Sequence, residues 1–190
     1  MAKATTNNTD NVSGTKGVKG GYIFVAPKGT TLPTDYTSTL DTKFSVLGFL
    51  SEDGFTETIE TDSEELKDMN GDLMYAPTTS RVESAQFTLA EIKADTLKMM
   101  YGEDNVTEKS GVITVKHNGN CQDVHCLVLE LVLRDDRRWR KVIPLAQMSE
   151  LDDLTLAVAE LASRALTVKY LTDADGNTCY DYIQSTEASA

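Results

Sequence analysis

The chain has 190 residues, of which 40% are hydrophobic, and it carries a formal net charge of −12 at neutral pH. This length and composition predict a single domain, with or without long arms. The pI of about 4.5 argues against a protein that grips nucleic acid, because affinity for phosphates comes from Lys and Arg. No apolar run reaches the roughly 18 residues of a membrane span, which argues against a membrane protein.

Both ends of the chain are polar. Residues 1–19 are rich in Thr, Asn, Gly and Lys, and they are predicted to form a flexible N-terminal arm. They contain no apolar segment of the kind that a secretory signal requires. Residues 184–190 are predicted to form a flexible C-terminal tail. The three cysteines are an odd number without a CxxC pair, so we expect a reduced, cytosolic environment without disulfides.

The first apolar segments predict a strand, a loop and a turn. Tyr22–Ala26 is a short apolar strand candidate that ends at Pro27. Thr30–Thr42 is a Thr-rich loop with little periodicity. The apolar segment Val46–Ser51 is followed by Glu-Asp-Gly at 52–54. This tripeptide predicts a hairpin turn, because Gly accepts the positive φ that such a turn needs.

A projecting hairpin is predicted next. Phe55–Thr61 alternates like a Thr-rich edge strand with weak apolar content on either face. An Asn-Gly pair at 70–71 predicts a tight turn that joins Glu64–Met69 to Asp72–Tyr75. Residues 46–80 are therefore predicted to form a long hairpin loop that projects from the domain.

This hairpin concentrates the negative charge of the chain. Between residues 51 and 72, nine carboxylates stand against the single base Lys67, a net charge of −8. Such a segment is either a solvated acidic loop or a projecting loop that docks on another subunit. In the second case the candidate interface residues are Glu52, Asp53, Glu57, Glu60, Asp62, Glu64, Glu65, Asp68 and Asp72.

A strand and a helix follow the hairpin. Arg81–Leu89 alternates, and the face that carries Ala85 and Phe87 is predicted to pack inward. A helix is predicted over 91–101, and Gly102 supplies its C-terminal stop. Its apolar stripe is expected to contain Leu89, Ile92, Thr96 or Leu97, and Met100, while the pair Met99-Met100 is expected to fill the core.

The second half of the chain predicts mostly strands. Val112–His117 is a short strand, and Val124–Arg134 is apolar on both faces through its middle, which is typical of a central strand. A turn at 135–136 leads into the strand Trp139–Leu145. Ser149–Leu166 fits a helical stripe and a strand alternation equally well.

The last segment predicts a β-hairpin. Leu166–Thr172 and Thr178–Ile183 are strand candidates. Between them, the sequence DADGN at 173–177 is a strong turn signal.

The chain offers no recognisable catalytic or cofactor motif. A zinc site at His117, Cys121, His125 and Cys126 lacks the paired spacing that closes a tetrahedral site. The sequence from Asp173 resembles the start of a calcium loop, but its Gly falls at the fourth position instead of the sixth. No nucleophile–base pattern or glycine-rich phosphate loop occurs, so we expect no enzyme, no cofactor and no metal.

Basic residues form one cluster, near the predicted turn at 135–136. As a nucleic-acid site the cluster is short, and Trp139 is its only residue for stacking on bases. A solvated hairpin tip is the commoner interpretation of such a cluster. A third hypothesis is that it receives the acidic loop of a neighbouring copy in a head-to-tail contact. The residues of the cluster are Arg134, Arg137, Arg138, Arg140 and Lys141, of which Arg137, Arg138 and Arg140 are the interface candidates.

From about residue 26 to residue 183, the chain resembles the major tail tube proteins of long-tailed, non-contractile bacteriophages. The similarity lies in the entry VAPKGTTLPTDYTSTLDTKFSVLGFLSEDGF and in the acidic hairpin that ends in KDMNGDLM. It continues in FTLAEIKADTLKMMYGEDNV and in the closing LTVKYLTDADGNTCYDYI. The family often has Trp near the position of Met69, where this chain has none. The family also places a strand near residues 153–158, and we predict a strand there from the resemblance.

The resemblance implies a mainly β fold, a β-sandwich or barrel over residues 20–183 flanked by one α-helix. It implies copies joined into hexameric rings that stack into a tube for DNA, with a loop and an arm bridging the rings. Such a tube is assembled in the host bacterial cytoplasm and becomes part of the virion. A tape measure protein and terminator or tip proteins would be its partners, and DNA would pass an acidic lumen without specific binding.

A different class of function stays open at this point. A carbohydrate- or surface-binding β-sandwich module of a virion or adhesin needs an exposed aromatic cluster around a groove. The only candidates for that cluster are Tyr170, Tyr180 and Tyr182.

Overall fold

The computed structural model describes residues 6–186 and is mainly β with one α-helix. The mainly β fold with a single helix was predicted from the sequence and is confirmed. The strands are β1 (Lys16–Gly17), β2 (Ile23–Pro27), β3 (Ser45–Val46), β4 (Leu50–Ser63), β5 (Leu66–Lys67), β6 (Leu73–Tyr75), β7 (Thr78–Leu89), β8 (Val106–Lys109), β9 (Val112–Val115), β10 (Val124–Val132), β11 (Arg138–Leu151), β12 (Ala165–Tyr170) and β13 (Tyr180–Ile183); the helix is α1 (Ala94–Tyr101).

Most strands belong to one antiparallel sheet. Its order is β3-β2-β10-β11-β12-β7-β4, with β1 paired to β10 and β13 paired to β11. β5 with β6 and β8 with β9 form two small hairpins. β10 pairs with β2 on one side and β11 on the other, and residues 125–129 are buried. The prediction of a central strand here is confirmed.

The sheet curls until its two halves face each other. Glu57 on β4 contacts Lys141 on β11 at 3.0 Å, although these strands are not neighbours in the sheet. Leu127 and Ile143 from one half and Phe87 from the other belong to one buried cluster. The inward face predicted for Arg81–Leu89 is confirmed, because Ala85, Phe87 and Leu89 are all buried.

The helix α1 starts three residues later than predicted. Ile92 is 63% exposed, so it does not belong to the buried stripe. Residues 91–93 are held by side-chain contacts instead: the Glu91 carboxylate accepts the Phe49 N–H, and the Lys93 ammonium donates to the Val46 carbonyl. The burial of Met99 and Met100 is confirmed, and Gly102 ends the helix with a positive φ of 95°.

The turn predicted at 52–54 is wrong. Leu50 pairs with Leu89 and Phe55 pairs with Phe87, so β4 continues through this tripeptide along the same partner strand. The additional residues form a bulge, and the positive φ of Gly54, 74°, belongs to it. Gly signals a left-handed backbone in both structures, which is why the sequence did not distinguish a bulge from a turn.

Residues 152–164 form neither the helix nor the strand that the sequence left open. β11 runs to Leu151, and the Asp152 N–H donates to the Ala165 carbonyl at 2.9 Å, which closes the segment as a loop. Strand β12 already occupies the space between β11 and β7. No edge is therefore left between β11 and β7 for an additional strand, and the apolar Leu156 and Val158 are exposed.

The prediction that the last two strands pair with each other is also wrong. The turn between them is confirmed by a 2.9 Å hydrogen bond from the Asp173 N–H to the Asn177 carbonyl. β12 and β13 pair with different parts of β11 instead of with each other. Within the predicted arm, Lys16–Gly17 pairs with β10, which the sequence did not indicate. Predictions for residues 1–5 and 187–190 lie outside the described residues.

Candidate assembly surfaces

The long hairpin of β4 and β7 has two parts. We call residues 50–57 with 83–89 the hairpin root and residues 58–82 the distal hairpin. Within the distal hairpin the two strands pair from Glu60 with Val82 to Ser63 with Thr78. Both faces there are exposed, so backbone hydrogen bonds and a high content of Thr and Ser, which suits extended backbone, maintain the ladder.

The tip of the distal hairpin, residues 64–77, is closed by a turn around Asp68. Its carboxylate accepts the N–H groups of Asn70 and Asp72 at 2.9 and 2.8 Å. These bonds favour the ionised form, so the backbone N–H of Asp72, and then that of Asn70, lowers the pKa of Asp68 below its ordinary value. Gly71 has a φ of 87°, as the predicted tight turn requires.

The tip exposes five large apolar side chains that sequence reasoning did not single out. Exposed apolar side chains concentrated in one short segment mark interaction sites. The available signal was the presence of LMY and Met within an acidic, turn-rich segment. The exposed fractions are 47% for Leu66, 105% for Met69, 57% for Leu73, 67% for Met74 and 62% for Tyr75.

The nine candidate carboxylates do not form one surface. Glu57 lies at the hairpin root, and Glu52 and Asp53 lie in the bulge of β4. The other six are on the distal hairpin, and Glu65 is the only one of them with an ion pair among the described residues, to Lys67 at 2.9 Å. The six are Glu60, Asp62, Glu64, Glu65, Asp68 and Asp72.

A charge cluster around the buried Lys141 ammonium joins the hairpin root to the sheet. The Lys141 ammonium lies 3.0 Å from carboxylate oxygens of both Glu57 and Asp181, and the Tyr170 hydroxyl donates to Glu57 at 3.1 Å. Burial alone would lower the pKa of Lys141, but the hydrogen bonds to Asp181 and Glu57 outweigh it and raise that pKa. Burial raises the pKa of the neighbouring Cys179 thiol to about 11.

The basic cluster is divided by the fold. Arg140 is 5% exposed and forms an ion pair with Glu130 at 2.7 Å. Its guanidinium also donates to the carbonyls of Asp35 and Ser38. Arg140 is therefore an internal clamp for the 35–38 loop, which corrects its placement among surface candidates. No local sequence signal distinguished Arg140, because residues 140–144 are buried on both faces of β11 and its partners come from distant segments.

Two of the three basic interface candidates remain outside the core. Arg137 is half-buried and donates to the Gln184 carbonyl at 3.4 Å, and Arg138 is exposed. Lys141 is buried like Arg140. That Arg137 and Arg138 receive an acidic loop stays a prediction.

The aromatic trio of the carbohydrate hypothesis is not assembled into a platform. Tyr170 is buried, whereas Tyr180 and Tyr182 stack with ring centroids 6.4 Å apart. The Tyr180 hydroxyl is already bonded to Asp173 at 2.7 Å.

Within residues 6–186, no group of three His, Cys, Asp or Glu side chains is placed to hold a metal ion. The same part of the chain has no helix long and apolar enough to cross a membrane.

Comparisons with known proteins give one sequence match. The family model described as phage tail tube protein matches residues 5–190. No curated protein sequence matches the chain. Among solved structures, the chain is similar to the anti-feeding prophage cap, a tube terminating cap solved by cryo-EM, with 10% identity and a TM-score of 0.42 over 89% of this chain and 93% of that chain.

Proposed function

The chain belongs to the phage tail tube protein family, and we propose that it is the repeating subunit of a tube built from stacked rings of identical copies. Membership makes it a structural component of the phage tail. The family sequence match covers the hairpin, the helix and the whole sheet, so the proposal applies to the domain and not to one motif.

The distal hairpin is the observation that carries this proposal. It extends beyond the core, keeps five large apolar side chains exposed at its tip and leaves most of its carboxylates without an ion pair among the described residues. An isolated two-stranded hairpin is marginally stable in water, and exposed apolar surface at its end adds nothing to the stability of the subunit. Contacts with another copy bury that surface and use those charges.

The finer features of the tube belong to the same proposal. We infer six copies per ring, a non-contractile tail, and assembly in the host cytoplasm on a tape measure protein with terminator or tip proteins at the ends. A net charge of −12 favours a lumen that repels DNA and lets it slide. The subunit acts without catalysis. Within residues 6–186 the outer edge of β4 is unpaired, and it is available for pairing with a neighbouring sheet.

Negative-stain electron microscopy of the purified protein at high concentration tests the proposal. We expect rings or tubes for the full chain. A variant in which residues 64–77 are replaced by Asn-Gly connects Ser63 directly to its register partner Thr78 through a two-residue turn. That variant loses β5 and β6, retains the main sheet and the cooperative unfolding of the subunit, and forms no tubes. A full chain that stays monomeric under all conditions, with or without a tape measure protein, contradicts the proposal.

A further inference from the structure

A groove with a volume of about 720 Å³ lies between the N-terminal segment 17–22 and the segment 46–49. Val18, Tyr22 and Val46 form much of its apolar lining. Phe49 stands at the groove with 64% of its surface exposed, and its ring lies 6.4 Å from that of Tyr22. A large aromatic side chain without cover beside an apolar groove indicates a surface that another molecule completes.

The groove is fixed in shape by the fold. The Leu50 N–H donates to the Tyr22 hydroxyl at 2.6 Å, and the Val18 N–H donates to the Glu130 carbonyl at 3.2 Å. A Cβ on Gly48 would lie 2.5 Å from the Glu91 carboxyl carbon, and Gly48 has a φ of 108°. Any other residue at position 48 would have a strained backbone and would displace the Glu91 carboxylate. That carboxylate holds Phe49 in place by accepting the Phe49 backbone N–H.

The charge at the groove is positive. Lys16 and Lys19 are exposed, and neither has an ion pair among the residues that the structure describes. The acidic group at the groove, Glu91, is neutralised by Lys93 at 3.2 Å. Lys19 therefore brings an ammonium group without an ion pair to the groove lining, and Lys16 brings a second one to the adjoining pocket, which shares Gly17 and Tyr22 with the groove.

The hairpin tip has the opposite character. It combines exposed apolar side chains with carboxylates such as Glu64 and Asp72 that have no ion pair within residues 6–186. The groove ends where β4 begins, and β4 then extends for 14 residues, which places the tip about 40 Å away along the ladder. The tip of one chain is thus held far from its own groove.

We propose that this groove receives the hairpin tip of a second copy of the chain. Apolar side chains of the tip cover Phe49 and Tyr22, while tip carboxylates pair with Lys16 and Lys19. The inference rests on the proposed function and deepens it, because it names the surface on which the distal hairpin docks. It also gives the short strand β1 a role, since pairing with β10 holds Lys16 beside the groove.

Charge reversal tests the contact through assembly. Lys16→Glu with Lys19→Glu should lower the fraction of protein that sediments as tubes at least tenfold, with an unchanged melting temperature because both side chains are exposed. The matched control is Lys28→Glu with Lys43→Glu, two exposed lysines outside the groove, which should assemble like the wild type. Adding Glu64→Lys and Asp72→Lys to the groove variant restores the opposite charges and should restore tubes.

Cross-linking tests the contact without requiring tubes. With Lys19→Cys and Met74→Cys in one chain, mild oxidation should give covalent dimers and higher ladders, whereas Lys28→Cys with Met74→Cys should give few. One set of results overturns the groove contact and leaves the tube proposal intact: the wild type forms tubes, the charge-reversed variant assembles normally, and no specific cross-link forms. Absence of wild-type tubes contradicts the tube, and the cross-link then still decides whether the tip binds the groove.

Discussion

The hairpin root and the distal hairpin are parts of the same two strands, but they have different surroundings. In the root, Phe55 and Phe87 stack with centroids 5.3 Å apart, Phe87 is 2% exposed, and Glu57 is bonded to Lys141. In the distal hairpin, Ile59 and the five large apolar side chains of the tip are exposed. One ladder of backbone hydrogen bonds thus passes from a segment that stabilises the subunit to a segment that its own chain does not cover.

This difference separates folding from assembly. Burial of apolar side chains drives folding in proportion to the area removed from water, and only the root removes such area within the subunit. Substitutions in the root should therefore change stability, whereas substitutions in the distal hairpin should change assembly alone. Four measurements test that separation, from the largest expected effect on stability to the smallest.

Truncating Phe87 should have the largest effect. Phe87→Ala removes a buried ring and leaves a cavity, which lowers the free energy of unfolding by about 3–5 kcal/mol. Denaturant unfolding of the monomer measures it. The matched control is Tyr75→Ala, an aromatic truncation at the exposed tip, which should change the free energy by less than about 0.5 kcal/mol. Equal losses for the two variants contradict the separation.

Removing the buried ammonium should have the next largest effect. Lys141→Met leaves Glu57 and Asp181 without their shared partner, and because both carboxylates are partly exposed, we expect a loss of about 2–3 kcal/mol, below the range for a fully buried pair. Lys67→Met removes an exposed ion pair of the tip and should cost less than about 1 kcal/mol. Thermal unfolding at neutral pH compares the two, and a Lys141 variant as stable as the Lys67 variant would show that the cluster does not anchor the root.

A rise in pH should weaken the root by a smaller amount. Burial raises the pKa of Cys179 from 9.0 to about 11, so the folded state holds this proton more tightly than the unfolded state. The stabilisation from this tighter proton binding is complete below pH 9 and is lost as the pH rises toward 11. Because Cys179 is only half-buried, solvent screening keeps the loss below about 1 kcal/mol over the first pH unit. Unfolding free energies between pH 8 and 10 should fall for the wild type and fall less for Cys179→Ala. Parallel curves for the two proteins exclude Cys179 as the cause.

The smallest effect on stability should accompany loss of assembly. Met74→Ser with Leu73→Ser changes two exposed side chains and should leave the free energy of unfolding within about 0.5 kcal/mol of the wild type. Because these side chains supply the apolar surface of the tip, tube formation should fall strongly. Electron microscopy and sedimentation measure that fall, and wild-type tubes from this variant would show that the tip makes no essential contact.

Local sequence signals predicted the parts of the fold that depend on local chemistry. Alternation identified the buried face around Phe87, apolar content on both faces identified β10, and the Asn-Gly pair at 70–71 identified the tip turn. Each of these depends on one segment and its immediate neighbours. The sequence resemblance supplied the family, which no single motif carried.

Pairing between distant segments was harder to predict from the sequence. β12 and β13 flank a strong turn but pair with β11, because β11 is long enough to take both at different positions. The apolar residues of 152–164 fitted two patterns and formed neither, since β12 had taken the available edge. Arg140 lies within a run of basic residues, yet its partners Glu130 and the 35–38 loop come from other parts of the chain.

The bulge at 52–54 has a consequence for the geometry of the assembled particle. Bulges bend a strand and increase its local twist, and this one lies between the core and the distal hairpin. The direction in which the hairpin leaves the subunit therefore depends on Glu52, Asp53 and Gly54. We expect the rotation from one ring to the next to respond to the length of this tripeptide, even though none of its residues lies at the tip. In the proposed tube, the ring-to-ring geometry is then adjustable at a bulge that lies away from the tip.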